Sequence, residues 1–503
     1  MIPIFMNIRC RSKILWGIAL VLAAFCSLLH AQTRSILIKN ATIIDGKLRP
    51  AFRGDVRIAN GIIVKVGTQM SAGNDEVLDA TGLILAPGFI DIHNHSQSGL
   101  ITEGSAANQV SQGITTVMVG PDGDSPYPIN SYFAKLDGKI AVNVGAFIGH
   151  AAVREQVMKK DYLRKATDDE IRQMAELVRQ SMKDGAFGLS SGLEYDVGFS
   201  ATTEELIALS RQAGKYHGIY MTHMRDEEEG MLDALREAIR IGREAKLPVQ
   251  ISHIKMGNHN VWGKSAEAIA IVDAARRSGF DITADAYPYT AWASTITVLV
   301  PSRKHQDRNE VETALRNVGG ADKVLITSCS AHRDYEGKTL EQIAAEQKTT
   351  PVDIYMQIVR DGGAGVVCNS MNEVDVKAFY QQPWVMVASD GGIGSRHPRG
   401  TGTFTRVLGR FVRENNWFSL EGAVRKMSAM PAARLRLKDR GLIKKGMRAD
   451  LVLFDRASVV DRATFTAPQT ISAGIKTVFV NGIRVWDDGK VTNNLPGSIL
   501  RNR

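Results

Sequence analysis

Cysteine is nearly absent. The chain has four in 503 residues, and two of them, Cys10 and Cys26, fall in the first 31. A fold stapled by a disulfide framework is thereby excluded. Cys329 and Cys368 each sit in a short apolar stretch and are expected as buried free thiols; spacing indicates no bridge between them. Runs of one charge are also missing. The net charge is +9, but no basic cluster marks a nucleic-acid surface, so a generally basic surface is expected and no nucleic-acid partner. Long apolar runs are confined to one place. After residue 31 no segment is long and apolar enough to span a bilayer.

That one place is the N-terminus. Arg9, Arg11 and Lys13 precede an apolar run from Ile14 to Leu29, and no Asp or Glu occurs in the first 31 residues. His30-Ala31 follows, then polar Gln32-Thr33-Arg34. A charged start, an apolar core and a small residue describe a secretory signal peptide. Residues 1–31 are read as such, with cleavage after Ala31, and the mature protein is expected to be periplasmic or secreted without stable membrane association. An uncleaved anchor is the competing reading, because the run is near the lower limit for a span.

The length suggests more than one domain. Residues 32–86 read as short strands and turns, with Asn60-Gly61 as a hairpin signal, since both central residues of such a turn need positive φ. Residues 434–503 repeat that style in ADLVLFD and KTVFVNGIRVW, with a second hairpin at Asn481-Gly482. The two ends are expected to form one composite small β-domain of sandwich type. Residues 87–433 alternate strands with helical patterns. Eight candidate strands lie at 88–93, 114–119, 141–148, 187–190, 218–222, 248–252, 281–286 and 385–389. Strands alternating with helices argue for parallel βα units and an α/β, (β/α)₈ TIM-type barrel. Among the helices, Thr202 and Glu205 are expected to make a capping box. Residues 288–384, after the seventh strand, exceed the rhythm and are read as an inserted, lid-like subdomain. It holds extra strands near 324–327 and 365–367, and a helix that starts at Thr350-Pro351 and ends at Gly362.

The chemistry is expected where such barrels place it, at the carboxyl ends of the strands. PGFIDIHNH carries His93 and His95 at the first. Alternate strand residues share a face, so two imidazoles are aimed at one point. The following ends give Asp122 in GPDG, His150 in GHAAVR, Glu194 in GLEY, His223 in THMR, His253 in SHIK and Asp390 in SDGG. Imidazoles and carboxylates collected at one rim are metal ligands by type.

PGFIDIHNH, THMR, SHIK and ASDG in this order resemble the metal-dependent amidohydrolase superfamily. FGLSSGLEY, the lysine of SHIK and SDGG…HPRGTGTF narrow the resemblance to the N-acyl-D-amino-acid deacylases (D-aminoacylases). It runs from about Ile36 to the ADLVLFD stretch. The resemblance implies that His93 and His95 hold a more buried ion and His223 and His253 a second. It implies that Asp390 binds the hydrolytic water and passes its proton to the leaving amine. The cofactor implied is Zn²⁺, one ion or two, with Mn²⁺ as the alternative if oxygen ligands dominate. Family members carry a bridging cysteine after the second strand; here Asp122 stands there. Many superfamily members place a bridging carboxylate after the fourth strand, so the resemblance implies Glu194 as the bridge, with Asp122 as runner-up. Lys255, Tyr287 and Arg399 match the set that binds a substrate α-carboxylate. His150 is expected just outside the ligands, a core histidine being the alternative.

The implied function is a hydrolase that uses hydroxide generated at a metal to cleave the linear amide of N-acyl-D-amino acids, or of dipeptides with a D-residue. Its partner is that small-molecule substrate, and the oligomeric state is left open. A cyclic-amide hydrolase of dihydroorotase or hydantoinase kind is the alternative. It is disfavoured because Glu194 stands where those enzymes carry a carboxylated lysine. A non-catalytic metal-binding scaffold is the third reading, disfavoured because no ligand is missing.

Overall fold

The computed structural model describes residues 35–502. The signal-peptide reading lies outside the described residues. Among them, no helix is long and apolar enough to cross a membrane.

All eight expected barrel strands form: Phe89–Asp91, Ile114–Val119, Asn143–Ala146 continued by Ile148–Gly149, Gly188–Gly192, Ile219–His223, Val249–Ile251, Ile282–Ala286 and Val385–Val387. Neighbours pair in parallel from the first to the third and from the third to the eighth. A parallel bridge between Asn94 and Gly391 closes the ring. The strands are buried along nearly their whole length, which explains why they read as apolar runs rather than alternations. Ile90, Ile92, Met118, Phe147, Phe187, Ile219, Met221 and Met386 fill the interior. Met430, Ala432, Leu435 and Leu500 join that cluster. The barrel interior is therefore a packed core, and access is left to the carboxyl rim.

Strands from both chain ends make one nine-stranded sheet. Leu451–Phe454 pairs antiparallel with Ile84–Pro87, which in turn pairs with Ile36–Ile43. It has its own apolar core, with Ile38, Val56, Leu85, Leu451 and Phe479 at its centre. Both expected hairpins occur, with φ of 50° and 75° at Asn60-Gly61 and 49° and 79° at Asn481-Gly482.

After the seventh strand the chain builds a three-stranded antiparallel sheet from Trp292–Thr295, Val324–Ser328 and Gly365–Cys368. The Thr350-capped helix runs Pro351–Arg360. Cys329 and Cys368 are buried and unbridged.

One local expectation is corrected. Thr202 does accept from the Glu205 backbone, but the Glu205 side chain does not return to complete the box. Its carboxylate is fully buried and taken by His150 and Arg154. A buried guanidinium and an imidazole outcompete one backbone N–H for a buried carboxylate.

Candidate active site

The rim assembles from strand ends and the residues just beyond them. His93 and His95 follow the first strand, and their Nε2 atoms are 3.3 Å apart. Asp390 follows the eighth, its backbone N–H donating to the His93 carbonyl at 3.0 Å. Asp91 fastens these two strands together. Its carboxylate accepts from the Ser389 N–H at 2.9 Å, the Ser389 hydroxyl at 2.5 Å and the Asn94 amide at 2.8 Å.

Asp122 Oδ2 lies 3.1 Å from His93 Nε2, 3.3 Å from His95 Nε2 and 3.5 Å from His253 Nε2. Asp390 Oδ1 is 3.2 Å from His93 Nε2 and 3.1 Å from His95 Nε2. Donor atoms of His93, Asp122, His253 and Asp390 all fall within 4.8 Å of one another, and so do those of His223, Glu227 and His253. His253 belongs to both groups, with its Nε2 3.0 Å from His223 Nδ1.

At two positions the geometry favours the alternative reading. Asp122, rather than Glu194, is the carboxylate that reaches both histidine pairs. Glu194 lies two residues past its strand and stands over His223 alone, at 2.6 Å from Nε2. His150 touches none of these groups. It opens the helix His150–Met158, and its Nε2 meets Glu205 at 2.8 Å, so it belongs to the buried packing.

The structure adds residues the motifs did not single out. Asp285, inside the seventh strand, lies 3.5 Å from His93 Nδ1 and accepts from the His253 N–H at 2.8 Å. A carboxylate behind a histidine orients the ring and raises its basicity. Glu227 Oε1 lies 3.0 Å from His253 Nδ1, and its Oε2 pairs with Lys255 Nζ. An acid at i−2 from Tyr287 in an apolar strand was a readable sign of Asp285. Nothing in the run Asp226-Glu227-Glu228-Glu229 could have marked Glu227 in particular.

Burial disfavours a charge on His93, yet Asp122 and Asp390 outweigh it and hold its pKa well above the ordinary value. Burial and Lys255 also oppose a charge on His253, but Glu227, Asp390 and Asp122 raise it to about 9. Asp122 is held well below the usual carboxylate range, against burial, by His93 and His253. For Asp390 the opposing cations are Arg399, His253 and His93. Such a knot of carboxylates and imidazoles facing inward fits a divalent cation, which would take the place of the histidine protons. Asp122 Oδ1 is buried without a hydrogen-bond partner, a further free donor for an ion.

Lys255, Tyr287 and Arg399 line the same cavity together with His223, His253 and Asp390. Arg399 is set by His397: the His397 ring donates from Nε2 to the Ala291 carbonyl at 3.0 Å, and its Nδ1 accepts the Arg399 N–H at 3.0 Å. The Arg399 guanidinium meets Asp390 Oδ2 at 2.6 Å and lies 4.8 Å from the Tyr287 ring centre. Trp292 and Ser294, from the inserted sheet, wall the cavity from above.

Comparison with known proteins shows the family and the fold. The amidohydrolase family matches residues 76–486. A D-aminoacylase of Alcaligenes xylosoxydans xylosoxydans is 37% identical over 93% of this chain and 98% of its own. The chain belongs to the amidohydrolase family, in its N-acyl-D-amino-acid deacylase branch. Within that branch, a D-aminoacylase crystal structure superposes with a TM-score of 0.85 at 36% identity, covering 93% of this chain and 99% of its own. An N-acyl-D-glutamate deacylase from Bordetella bronchiseptica, solved with zinc and a phosphonate mimic of the tetrahedral intermediate, gives 0.84 at 33% identity, with the same coverage. A D-hydantoinase, at 16% identity and a TM-score of 0.58, shares the fold alone.

Proposed function

We propose that this chain is a metal-dependent hydrolase that cleaves the linear amide of N-acyl-D-amino acids, or of dipeptides with a D-residue, to a carboxylate and a free amino acid. One observation carries the reading. His223, His253 and Asp390 line a cavity that also presents Lys255, Tyr287 and Arg399, and His93 and His95 stand against Asp390. The near relatives named D-aminoacylase and N-acyl-D-glutamate deacylase support the substrate class.

His93, His95, Asp122 and Asp390 would hold one ion, and His223, His253 and Glu227 or Glu194 a second. Zinc suits the imidazoles, and the carboxylates leave manganese as the alternative. A bound ion of this kind supplies a lowered water pKa, to about 7, and polarisation of a carbonyl. Asp390 takes the proton of the attacking water and delivers it to the leaving nitrogen, a transfer its ionised state permits. Arg399 and Lys255 bind the substrate carboxylate, Arg399 offering a fork that matches it. The wall from Trp292 to Ser294 keeps bulk water out, which strengthens these charge contacts.

The test is release of free amino acid from a panel of N-acyl-D- and N-acyl-L-amino acids and cyclic amides, with metal content measured on the same sample. D-substrates should be hydrolysed in preference to L, with loss on chelation and recovery on adding zinc. Activity confined to cyclic amides would overturn the proposal. The N-terminal leader supports an exported enzyme, and a mature periplasmic protein beginning at Gln32 is the expected outcome of N-terminal sequencing.

A further inference from the structure

A second cavity adjoins the first, and Glu194 lines both. Its volume is about 610 Å³, within the range of small-molecule sites. The walls come from three directions. The loop after the fourth strand supplies Phe199, the helix Met231–Ala245 after the fifth supplies Ala234, and the inserted segment supplies Pro301 and Arg303. One turn of chain borders both spaces. Tyr195 lines the first cavity, and Phe199, whose N–H donates to the Tyr195 carbonyl at 2.8 Å, lines the second.

Position around the barrel decides which end of a substrate arrives there. Lys255, Tyr287 and Arg399 follow the sixth, seventh and eighth strands, and Glu194 follows the fourth. In a closed ring of eight, the fourth and eighth strands stand opposite each other. The imidazoles and Asp390 lie between. An N-acyl amino acid held at its α-carboxylate by Arg399 and Lys255 has its scissile amide at those imidazoles. Its acyl group then points onward, past Glu194.

The lining of the second cavity suits an apolar chain rather than an anion. Each arginine at its wall is already answered, Arg225 by Glu237 at 2.9 Å, Arg236 by Asp233 at 2.6 Å, Arg240 by Glu244 at 2.8 Å and Arg303 by Asp196 at 3.0 Å. Arg225 also donates to the Phe199 and Ala201 carbonyls, both at 3.1 Å, and Arg303 to the Glu194 carbonyl. The charged heads are spent on the protein, and arginine stems serve as apolar wall. Phe199 is 42% exposed, with the Arg303 guanidinium 5.0 Å from its ring centre. From this placement we infer that the second cavity is the subsite for the acyl group, and that the enzyme favours N-acyl-D-amino acids whose acyl chain is apolar and longer than acetyl, of the hexanoyl type. The inference rests on the deacylase reading above and specifies the other half of the substrate. An acetyl group ends at the imidazoles. A hexanoyl chain passes Glu194 and lies against Phe199, Ala234 and Pro301, where leaving water is favourable.

The test is a series of N-acetyl, N-butanoyl and N-hexanoyl derivatives of whichever D-amino acid the metal-loaded enzyme turns over fastest in its N-acetyl form. kcat/KM should rise along the series and gain at least about tenfold from acetyl to hexanoyl, since each fully buried methylene allows roughly fourfold. Hexanoate should also inhibit more tightly than acetate. In Phe199→Ser the hexanoyl-to-acetyl ratio should fall by about threefold or more, as expected when apolar contact area is removed. A wild-type ratio of one or less would overturn the inference, and so would a ratio unmoved by Phe199→Ser. The wild-type series and the two inhibitors decide the matter even if the variant fails to fold. Hydrolysis of no D-substrate of any acyl length would instead remove the deacylase reading itself.

Discussion

Asp122, His253 and Asp390 hold backbone φ of 55°, 30° and 49°. Non-glycine residues rarely adopt such angles, at a cost of about 1–3 kcal/mol each. The surrounding structure enforces them, and the effect is to turn three short side chains inward at the rim. Position then decides role. Asp122 reaches both histidine pairs and Glu194 only one, so Asp122→Asn should lower metal content more than Glu194→Gln, read by metal analysis after dialysis. The reverse order would restore Glu194 as the bridge. Asp390→Asn should keep most of its metal while losing turnover by about 10²–10⁴-fold, the usual contribution of a proton-transfer group; an active variant would remove Asp390 from the mechanism. Asp285→Asn keeps a group to accept the His253 N–H but removes the charge behind His93. Metal affinity should fall by about 10–100-fold, and unchanged affinity would reduce Asp285 to a packing residue. Most of these ligands were legible in the sequence, because a histidine or acid closing an apolar strand can only lie at the rim of a parallel barrel. Asp285 left only a trace, an acid inside an apolar strand, and Glu227 none, since the place of each beside His93 or His253 depends on distances between strands.

Helices and strands show a similar division. The eight barrel strands were visible as apolar runs because both faces are buried. The inserted sheet was half visible. Val324–Ser328 and Gly365–Cys368 read as strands, but Trp292–Thr295, with its Ala-Ser-Thr tail, shows no alternation and is fixed by its antiparallel register to Gly365–Cys368. The helices Arg308–Asn317 and Leu340–Gln347 also went unread, their buried faces supplied by the insertion itself. At Glu205 a helix-start motif was overridden by tertiary contacts. There two helices are joined: Arg154 of His150–Met158 grips Glu205 of Thr203–Gly214 through Nη1, and its Nη2 donates to the Tyr162 and Arg164 carbonyls. Breaking a buried pair leaves an uncompensated charge, so Glu205→Gln should cost about 3–5 kcal/mol. Denaturant unfolding should show that loss without a change in bound metal per folded molecule. A variant as stable as wild type would show that water or a neighbour answers Arg154.

At the scale of the whole chain, the small β-domain and the barrel meet through a buried polar knot rather than through apolar packing alone. Asp450, in the ADLVLFD strand region, is its centre. Its carboxylate pairs with Arg440, accepts the Asn143 amide at 3.1 Å and accepts the Asn481 backbone N–H at 2.6 Å. Asn143 begins the third barrel strand, and its own carbonyl oxygen accepts from the Asn481 amide at 2.9 Å and from the Ser498 N–H at 3.1 Å. One carboxylate thus ties a barrel strand, the far hairpin and the C-terminal segment. That segment also sends Leu500 into the barrel-interior cluster. Asp450→Ala would leave Arg440 without its buried carboxylate and the Asn481 backbone N–H without its acceptor, each loss falling in the range of about 1–3 kcal/mol or more for a charged group, while the Asn143 amide keeps the Thr115 carbonyl. The knot lies away from the carboxyl rim, so the expected result is selective: faster thermal inactivation and a lower unfolding midpoint, with metal content and kcat/KM at low temperature close to wild type. Because a chain of this size and two domains need not unfold in one step, the inactivation half-life is the measurement to compare. Loss of metal in the folded variant would mean that the β-domain helps hold the rim in place, and that the two ends of the barrel are mechanically coupled.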